Sequence, residues 1–522
     1  MSYPKRIQPF RPKNGLLRDV PPSEVPDEYY TTAGNVLFRD SFAERVVGDA
    51  RVYPGVTGAL RNILSTRDSA GANFWMYSSP NTVNAVTGST ISDLTPIGGL
   101  QTQDDPNAFT TSLLNGLPVW NNQLDVPHYW TNDPGAPLAP LPGWQAGDTC
   151  RAIRPFKFHL FALGMEEAGG SFPMKLKWSD AAEPGAVPQT WEALPNNDAG
   201  DTQLSETPGG IVDAWPLRAG LMIYKESSTY LCNWIAGQFV FNFRPLFITS
   251  GVIARNCVVE HDARHFVFTD DDLIMTDGNT IQSIVDRRNR KALFSSLDQD
   301  NARNAYVINY ERQKEIWFCY PENGSKYCNR ALVYDVRNDS TGFRELCSSP
   351  HGRLGFVTDA VEDDSWDSDT QAWDDDVTSW TAFARSDVEL DLVIACTDDD
   401  TPTNGKLVEV DAGSDFDGEP INALLVKSDM SFGDADRLKL VKRVYPKVEA
   451  NDGVTVDIRV GSAESPGGTV SWSPPVPYVK GTNTKIDTFS LGRYISIEIS
   501  SAGGAPWTLI GFDVEYETRG YY

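Results

Sequence analysis

The sequence predicts an all-β protein, a β-propeller of six to eight blades followed by an antiparallel β-sandwich. Three observations predict it. Forty-two glycines and 34 prolines recur as breakers through the 522 residues and leave few uninterrupted amphipathic helices. A unit of short apolar strand, tight turn and second strand returns seven times between Asn73 and Asp411. After about Asp417 the texture changes to longer strands of regular alternation.

Residues 1–55 form the first region, an extended docking segment. It is polar and proline-rich through "VPPSEVPDEYY" and then runs into a hairpin at "NVLFRDSFAERV". Val36, Phe38 and Phe42 are its predicted anchors. A segment with so little core of its own must dock on another surface.

Residues 56–416 carry the repeated units. They are "NFWMYSSPNTVNAV", "LLNGLPVWNNQLDVPHYW", "KFHLFALGM" with "MKLKWSD", "GLMIYKESSTYLCNW", "HFVFTDDDLIMTDGNTIQSI", "KEIWFCYPENGSKYCNRALVYDV" and "LDLVIACTDDDTPTNGKLVEVD". Leu221, Ile223 and Lys225 alternate with Met222 and Tyr224, the period of a strand that is apolar on both faces. Their spacing is near the roughly 40 to 50 residues that a propeller blade occupies. A propeller removes its sheet edges by setting small sheets around a channel, which accounts for the repetition and the turn density together. No WD dipeptide or kelch signature recurs, so stacked sandwiches are the alternative architecture. Trp178 and Trp191 are predicted as packing aromatics beside a proline-bearing loop.

Residues 417–522 read as the terminal sandwich. Val454, Val456, Ile458 and Val460 fall on one face of a strand, and Ile495, Ile497 and Ile499 do the same on another.

Charge bounds the partners. Against 45 basic residues stand 71 acidic ones, a formal net charge of −26. That is not the footprint of a protein that grips nucleic acid by its phosphates, and it suits a soluble surface or one that repels polyanions. The opening "SYPKRIQPFRPK" has no apolar core of a secretion signal, and no run of 18 apolar residues predicts a membrane span. Seven cysteines are sparse and odd in number, which predicts thiols rather than a disulfide framework and fits synthesis in a reducing cytoplasm. In "WFCYPENGSKYCNRA" an Asn323-Gly324 turn would set Cys319 opposite Cys328, as two reduced, packed thiols.

The motifs of familiar chemistry are missing. No G-x-G-x-x-G or Walker pattern implies a nucleotide, no G-x-S-x-G elbow implies a serine triad, and no cofactor is predicted. His261 and His265 in "EHDARH" have the spacing of two ligands on a helix, but their flanks read as strand, so packed histidines are the reading and no metal site is assigned. Carboxylates are too abundant for residue type alone to mark a glycosidase pair.

Acidic turns are the candidate functional loops, facing a lumen or a neighbouring subunit. They hold Asp270, Asp271 and Asp272; Asp363, Asp364, Asp367, Asp369, Asp374, Asp375 and Asp376; and Asp398, Asp399 and Asp400. The stretch "WDSDTQAWDDDVTSW" lacks the glycine and the regular acidic series of a calcium loop. Trp366, Trp373 and Trp380 are its candidate anchors, and their odd spacing with Ser, Asp and Thr between favours turns over helix or strand.

The order of the leader "GLLRDVPPSEVPDEYYTTAGNVLFRDSFAERV", the units at 220–234 and 265–284, "WFCYPENGSKYCNRALVYDVRNDSTGFREL", the acidic tryptophan loop and "GRYISIEISSAGGAPWTLIGFDVEYETRGYY" resembles a family. It is similar to the tail hub or nozzle proteins, also called packaged-DNA stabilisation proteins, of short-tailed bacteriophages and related prophages. The resemblance implies a structural virion protein, a homo-oligomeric ring, typically a hexamer, below the portal and adaptor rings. Such a ring continues the DNA channel, retains packaged genomic DNA without specific binding, guides its ejection and anchors tail fibres or spikes. It implies no enzyme, no catalytic residue and no cofactor. The alternative is a phage propeller that degrades surface glycan or binds a receptor.

Overall fold

The computed structural model describes residues 5–235, 240–358, 390–397, 404–503 and 505–521. Strands dominate it, and Arg290–Ser296 is the one α-helix among the described residues.

Seven groups of four antiparallel strands follow one another. The first is Asn62–Arg67, Asn73–Ser78, Val83–Thr87 and Thr90–Asp93. The second runs from Thr110–Leu114 to Ala139–Pro140, the third from Thr149–Phe156 to Gly200–Gln203, the fourth from Ile211–Leu217 to Phe241–Phe247 and the fifth from Val258–His261 to Ile281–Ser283. The sixth, Tyr306–Tyr310 through Ser340–Ser349, is one end of a ten-stranded sheet. The seventh is His351–Gly355, Asp391–Cys396, Lys406–Gly413 and, from the far end of the chain, Gly48–Val52. Each of the seven repeats quoted above falls in a different group. The first strands of successive groups pack in series, and His351–Gly355 of the seventh returns to Asn62–Arg67 of the first. The arrangement is propeller-like.

Period-2 apolar patterning explains how the groups stack. In Gly220–Lys225 all six residues are buried. Leu221 and Ile223 join Phe161 and Leu163 of the third group, while Met222 and Tyr224 face Phe266 and Phe268 of the fifth. The same sharing of apolar side chains recurs between the other neighbours, as with Trp75 of the first group against Val393 and Leu407 of the seventh. A buried side chain of this kind contributes on the order of 1.5–3 kcal/mol, and Gly220–Lys225 supplies two to each neighbour.

The leader docks on its own chain. Lys5–Phe10 pairs with the last strand, Thr508–Tyr521, and Thr32–Gly34 pairs with Asn422–Met430. Val36–Arg39 lies against the outer strand of the sixth group at Phe343, then turns into Phe42–Arg45, which meets Thr508–Tyr521 at Leu509. Val36 and Phe38 are buried anchors, at 0% and 3% exposure, but Phe42 is 36% exposed. The two-residue turn at Asp40 and Ser41, both at positive φ, reverses the chain so that Ala43, not Phe42, points into the core.

At the C-terminal end, Asn422–Met430, Thr455–Ala463 and Tyr494–Ala502 form one sheet, while Arg437–Glu449, Ile486–Gly492 and Thr508–Tyr521 extend the ten-stranded one. Val456, Ile458, Val460, Ile495, Ile497 and Ile499 are buried in a cluster with Val441, Val444, Leu509 and Val514. Alternation in both sets puts these residues on inner faces.

Two cysteine expectations are corrected. Cys347 and Cys396 form a disulfide, Cα atoms 5.6 Å apart, that ties the outer strand of the sixth group to the seventh. Their separation of 49 residues gave no local signal. Cys319 stands opposite Ala331, not Cys328, which pairs with Ser349. Asn323 and Gly324 do take positive φ, and Ser325 N–H bonds the Glu322 carbonyl across them. Beyond that turn the Asn329 side chain bonds the backbone of Glu322 in both directions, and three further residues on its side shift the register. Both thiols are buried and free.

Candidate cavity between the first strands

Polar side chains on the first strands converge where the groups meet. Asp213 sits at an irregularity in Ile211–Leu217 and is 1% exposed. Arg154, from Thr149–Phe156, donates to it from Nε at 2.6 Å and Nη2 at 2.9 Å. The Ala214 and Asn256 amides each add a bond at 2.8 Å. Four donors to one carboxylate occupy its lone pairs and leave none for chemistry.

A cavity of about 300 Å³ opens beside this pair, lined by Trp215, Asn256, Glu260, Asn309, His351 and Arg353 among others. Arg353 Nη2 donates to the Thr111 carbonyl at 2.9 Å, which also accepts from Arg154 Nη1 at 3.1 Å. Arg353 Nε is buried with no hydrogen-bond partner. Burial pushes Arg353 down to about 10, the Arg154 charge adds to that, and Asp213 opposes both. Arg255, bonded to the Asn107 carbonyl, is also pushed down to about 10 by burial. The His351 imidazole is held well below its usual value by burial and by Arg353 and Arg154, so it is neutral near pH 7. Asp213 is bonded by Arg154 and its charge also acts on Arg353 and Arg255, the last of which has Asp105 beside it as well. Glu260, a second carboxylate in the lining, accepts the Ala263 amide at 2.6 Å.

This cavity is not the acidic site expected from the sequence. Asp270, Asp271 and Asp272 lie elsewhere, in the turn between Arg264–Phe268 and Leu273–Thr276. Asp271, 78% exposed, pairs with Arg290 at 2.8 Å. Asp272 accepts from Ser283 Oγ at 2.8 Å, and partial burial together with Asp271 raises the Asp270 carboxyl. Asp363, Asp364, Asp367, Asp369, Asp374, Asp375, Asp376, Asp398, Asp399 and Asp400, with Trp366, Trp373 and Trp380, lie outside the described residues.

His261 and His265 are packed side chains on two paired strands, at 2% and 0% exposure. No group of three His, Cys, Asp or Glu residues is set to hold a metal ion among the described residues. No helix among them is long and apolar enough to cross a membrane. Trp191 is 1% exposed and meets Trp144 edge-on, centroids 4.7 Å apart.

Sequence reasoning missed Arg154, Asp213 and Arg353. Their signal was a buried-strand pattern interrupted by charge, one residue in "IVDAWPL" and "HGRLG" and two, Arg151 and Arg154, in "TCRAIRPF".

No protein-family model matches the chain, and no curated protein does. Among solved structures it is similar to a Bacteroides fragilis protein described as exported, with 13% identity, TM-score 0.31, and coverage of 60% of this chain and 92% of that one. It is also similar to a glycoside hydrolase, with 10% identity, TM-score 0.24, and coverage of 89% and 99%. An exo-β-1,3-galactanase from Phanerochaete chrysosporium gives 8% identity, TM-score 0.25, and coverage of 90% and 100%. Likeness at this level carries no argument about function.

Proposed function

We propose that the chain is a structural subunit of a phage tail, of the hub or nozzle class that its sequence resembles, and that its seven four-stranded groups are the blades of a closed propeller. The observation that carries this reading is the leader. Its strands enter the sheet of the sixth group, both sheets of the C-terminal region and the seventh group, so one segment ties the C-terminal region to the last two groups. A ring that holds pressurised DNA needs subunits that do not come apart under load. The Asp213 carboxylate beside the cavity is tied by four donors, which suits a structural part better than a hydrolase.

On this reading copies of the chain assemble as a ring, a hexamer, below portal and adaptor rings, with fibres or spikes outside and DNA passing through. The net charge of −26 repels the DNA backbone within about one Debye length, roughly 8 Å at physiological salt. The test is the mass of the purified chain by light scattering and its position in whole particles by electron microscopy. A monomer that turns over a polysaccharide would overturn the reading.

Receptor binding is the second reading, favoured by Phe489 and Leu491. They are 72% and 43% exposed on Ile486–Gly492, an edge strand of the C-terminal region. Exposed apolar edges invite a partner. Loss of host-cell adsorption by particles carrying Phe489→Ser, with assembly intact, would decide for it.

A further inference from the structure

We propose that the Cys347–Cys396 bridge is a thiol–disulfide exchange site for a small anionic thiol of the glutathione class, with Cys347 as the sulfur that is attacked. The inference is independent of the tail reading.

The bridge lies in the wall of a cavity. About 650 Å³ in volume, within the range of ligand pockets, it is lined by both cysteines and by Arg51, Lys406 and Asp417 among others. Cys347 is partly exposed and Cys396 only 3% exposed, so an incoming thiolate meets Cys347 first. The other five cysteines are buried, and burial pushes each of those thiols up, away from the reactive thiolate form. The reactive sulfur of the folded chain is therefore the bridge.

Charge gives the ligand its class. Lys406 pairs across the strands with Cys396, and its Nζ bonds Asp417 at 2.5 Å. Arg51 donates from Nη2 to the Pro54 and Val56 carbonyls, at 3.0 and 3.3 Å, and has no carboxylate partner among the described residues. Two cations against one carboxylate leave the lining one net positive charge, which attracts an anion and favours thiolate over thiol. The −26 of the whole molecule does not forbid entry, because exposed charges are screened over about 8 Å.

The exchange is a displacement at sulfur. The thiolate attacks Cys347 Sγ, a new S–S bond forms there, and the old bond breaks with its electron pair on Cys396 Sγ, where the Lys406 charge favours departure. Return of Cys396 to Cys347 expels the small thiol and restores the bridge. Attack by a second thiolate instead releases the small disulfide and leaves both cysteines reduced. Run backwards from the small disulfide, the same steps close the bridge in a chain whose thiols start reduced. Beside the bridge the Thr397 amide donates to the Ser348 carbonyl at 2.8 Å, a bond between the same two groups that survives opening, so the exchange runs in the folded chain.

The experiment exposes the folded full chain to reduced glutathione, an anion, and to cysteamine, a cation, at matched thiolate concentration. Bridge opening is followed by intact mass and peptide mapping after an acid quench. Glutathione is expected to open the bridge without denaturant, to leave its adduct on Cys347, and to react about threefold or more faster than cysteamine. In Arg51→Gln that ratio should fall towards one. Opening only in urea overturns the proposal, as do an adduct on Cys396 instead, equal rates with the two thiols, and an unchanged ratio in the variant. Should Arg51→Gln fail to fold, the wild-type ratio at about 1 M salt replaces it, because the Debye length there is about 3 Å. A ratio that salt leaves unchanged overturns the proposal equally, and so does a chain that forms no bridge in oxidised glutathione.

Discussion

Arg39 and Glu315 stand 276 residues apart and meet in a buried two-bond pair, Nε to Oε1 at 2.6 Å and Nη2 to Oε2 at 3.1 Å. Trp317 Nε1 adds a bond to Glu315 at 3.0 Å, and Arg39 also reaches Asp411 at 3.3 Å. Arg344 joins the same cluster through Asp411 and Asp49. The leader is thus bolted to the sixth and seventh groups by charge as well as by strand pairing.

Arg39→Met strands Glu315 as an unpaired buried carboxylate and is expected to cost about 3–5 kcal/mol in urea unfolding. Adding Glu315→Met should recover part of that loss, because the two sites share one interaction. Equal and additive losses in the two single variants would show that the pair contributes nothing as a pair.

His265 predicts a pH dependence. Its Nδ1 lies 2.8 Å from the Tyr224 hydroxyl and its Nε2 2.8 Å from the Pro216 carbonyl, so the neutral ring is satisfied on both sides. Burial pushes it down to about 4, while the unfolded chain titrates near the usual 6.5. Between those values the unfolded state binds the proton and the folded state does not. The contribution is therefore complete above about pH 6.5 and is lost as pH falls towards 4, by about 3 kcal/mol. Unfolding free energies from pH 7 to pH 4 should fall more steeply in the wild type than in His265→Gln; parallel curves refute the assignment.

The Cys347–Cys396 bridge closes a loop spanning 49 residues. Chain entropy for a loop of that length gives about 4 kcal/mol of stabilisation. Cys347→Ser with Cys396→Ser should lower the denaturant midpoint accordingly, and reductant should lower the wild type to the same value. No midpoint change in either sample would mean that the bridge does not constrain the unfolded chain.

Ile497 and Phe489 make a contrast in the C-terminal region. Ile497 is 1% exposed between the sheets, and its replacement by Ala should cost about 2–5 kcal/mol. Phe489 is 72% exposed, and Phe489→Ser should change stability by no more than about 0.5 kcal/mol. Thermal melts of the two variants check both values, and a large loss at Phe489 would reveal packing on that strand.

What was legible in the sequence was periodicity. Leu221 against Met222, and Val456, Ile458 and Val460 in register, follow from side-chain alternation, which is local. Pairing between distant strands was not legible: nothing in "GDARV" marks it as the partner of "KLVEVDAG" some 350 residues on, because register between remote strands is settled by the assembled core. The arginines beside the cavity were hidden for the same reason, since Arg154 and Arg353 meet at the Thr111 carbonyl only when the first strands of the third and seventh groups converge. Asn323-Gly324 shows the boundary between the two cases. The turn formed as its residues require, and a side chain outside it then reset the pairing.

Gly48–Val52 finds its partner strand only at Lys406–Gly413. A ribosome adds about 5–20 residues per second, so the leader waits on the order of tens of seconds for the strand it needs. During that interval an apolar, strand-prone segment would pair with whatever edge it met, including that of another nascent chain. Asp49 and Arg51 within it, and Pro21, Pro22 and Pro26 upstream, disfavour such pairing. The polar, proline-rich composition of the leader is thus a provision for the time of synthesis, and its effect should be felt in folding yield rather than in the finished molecule.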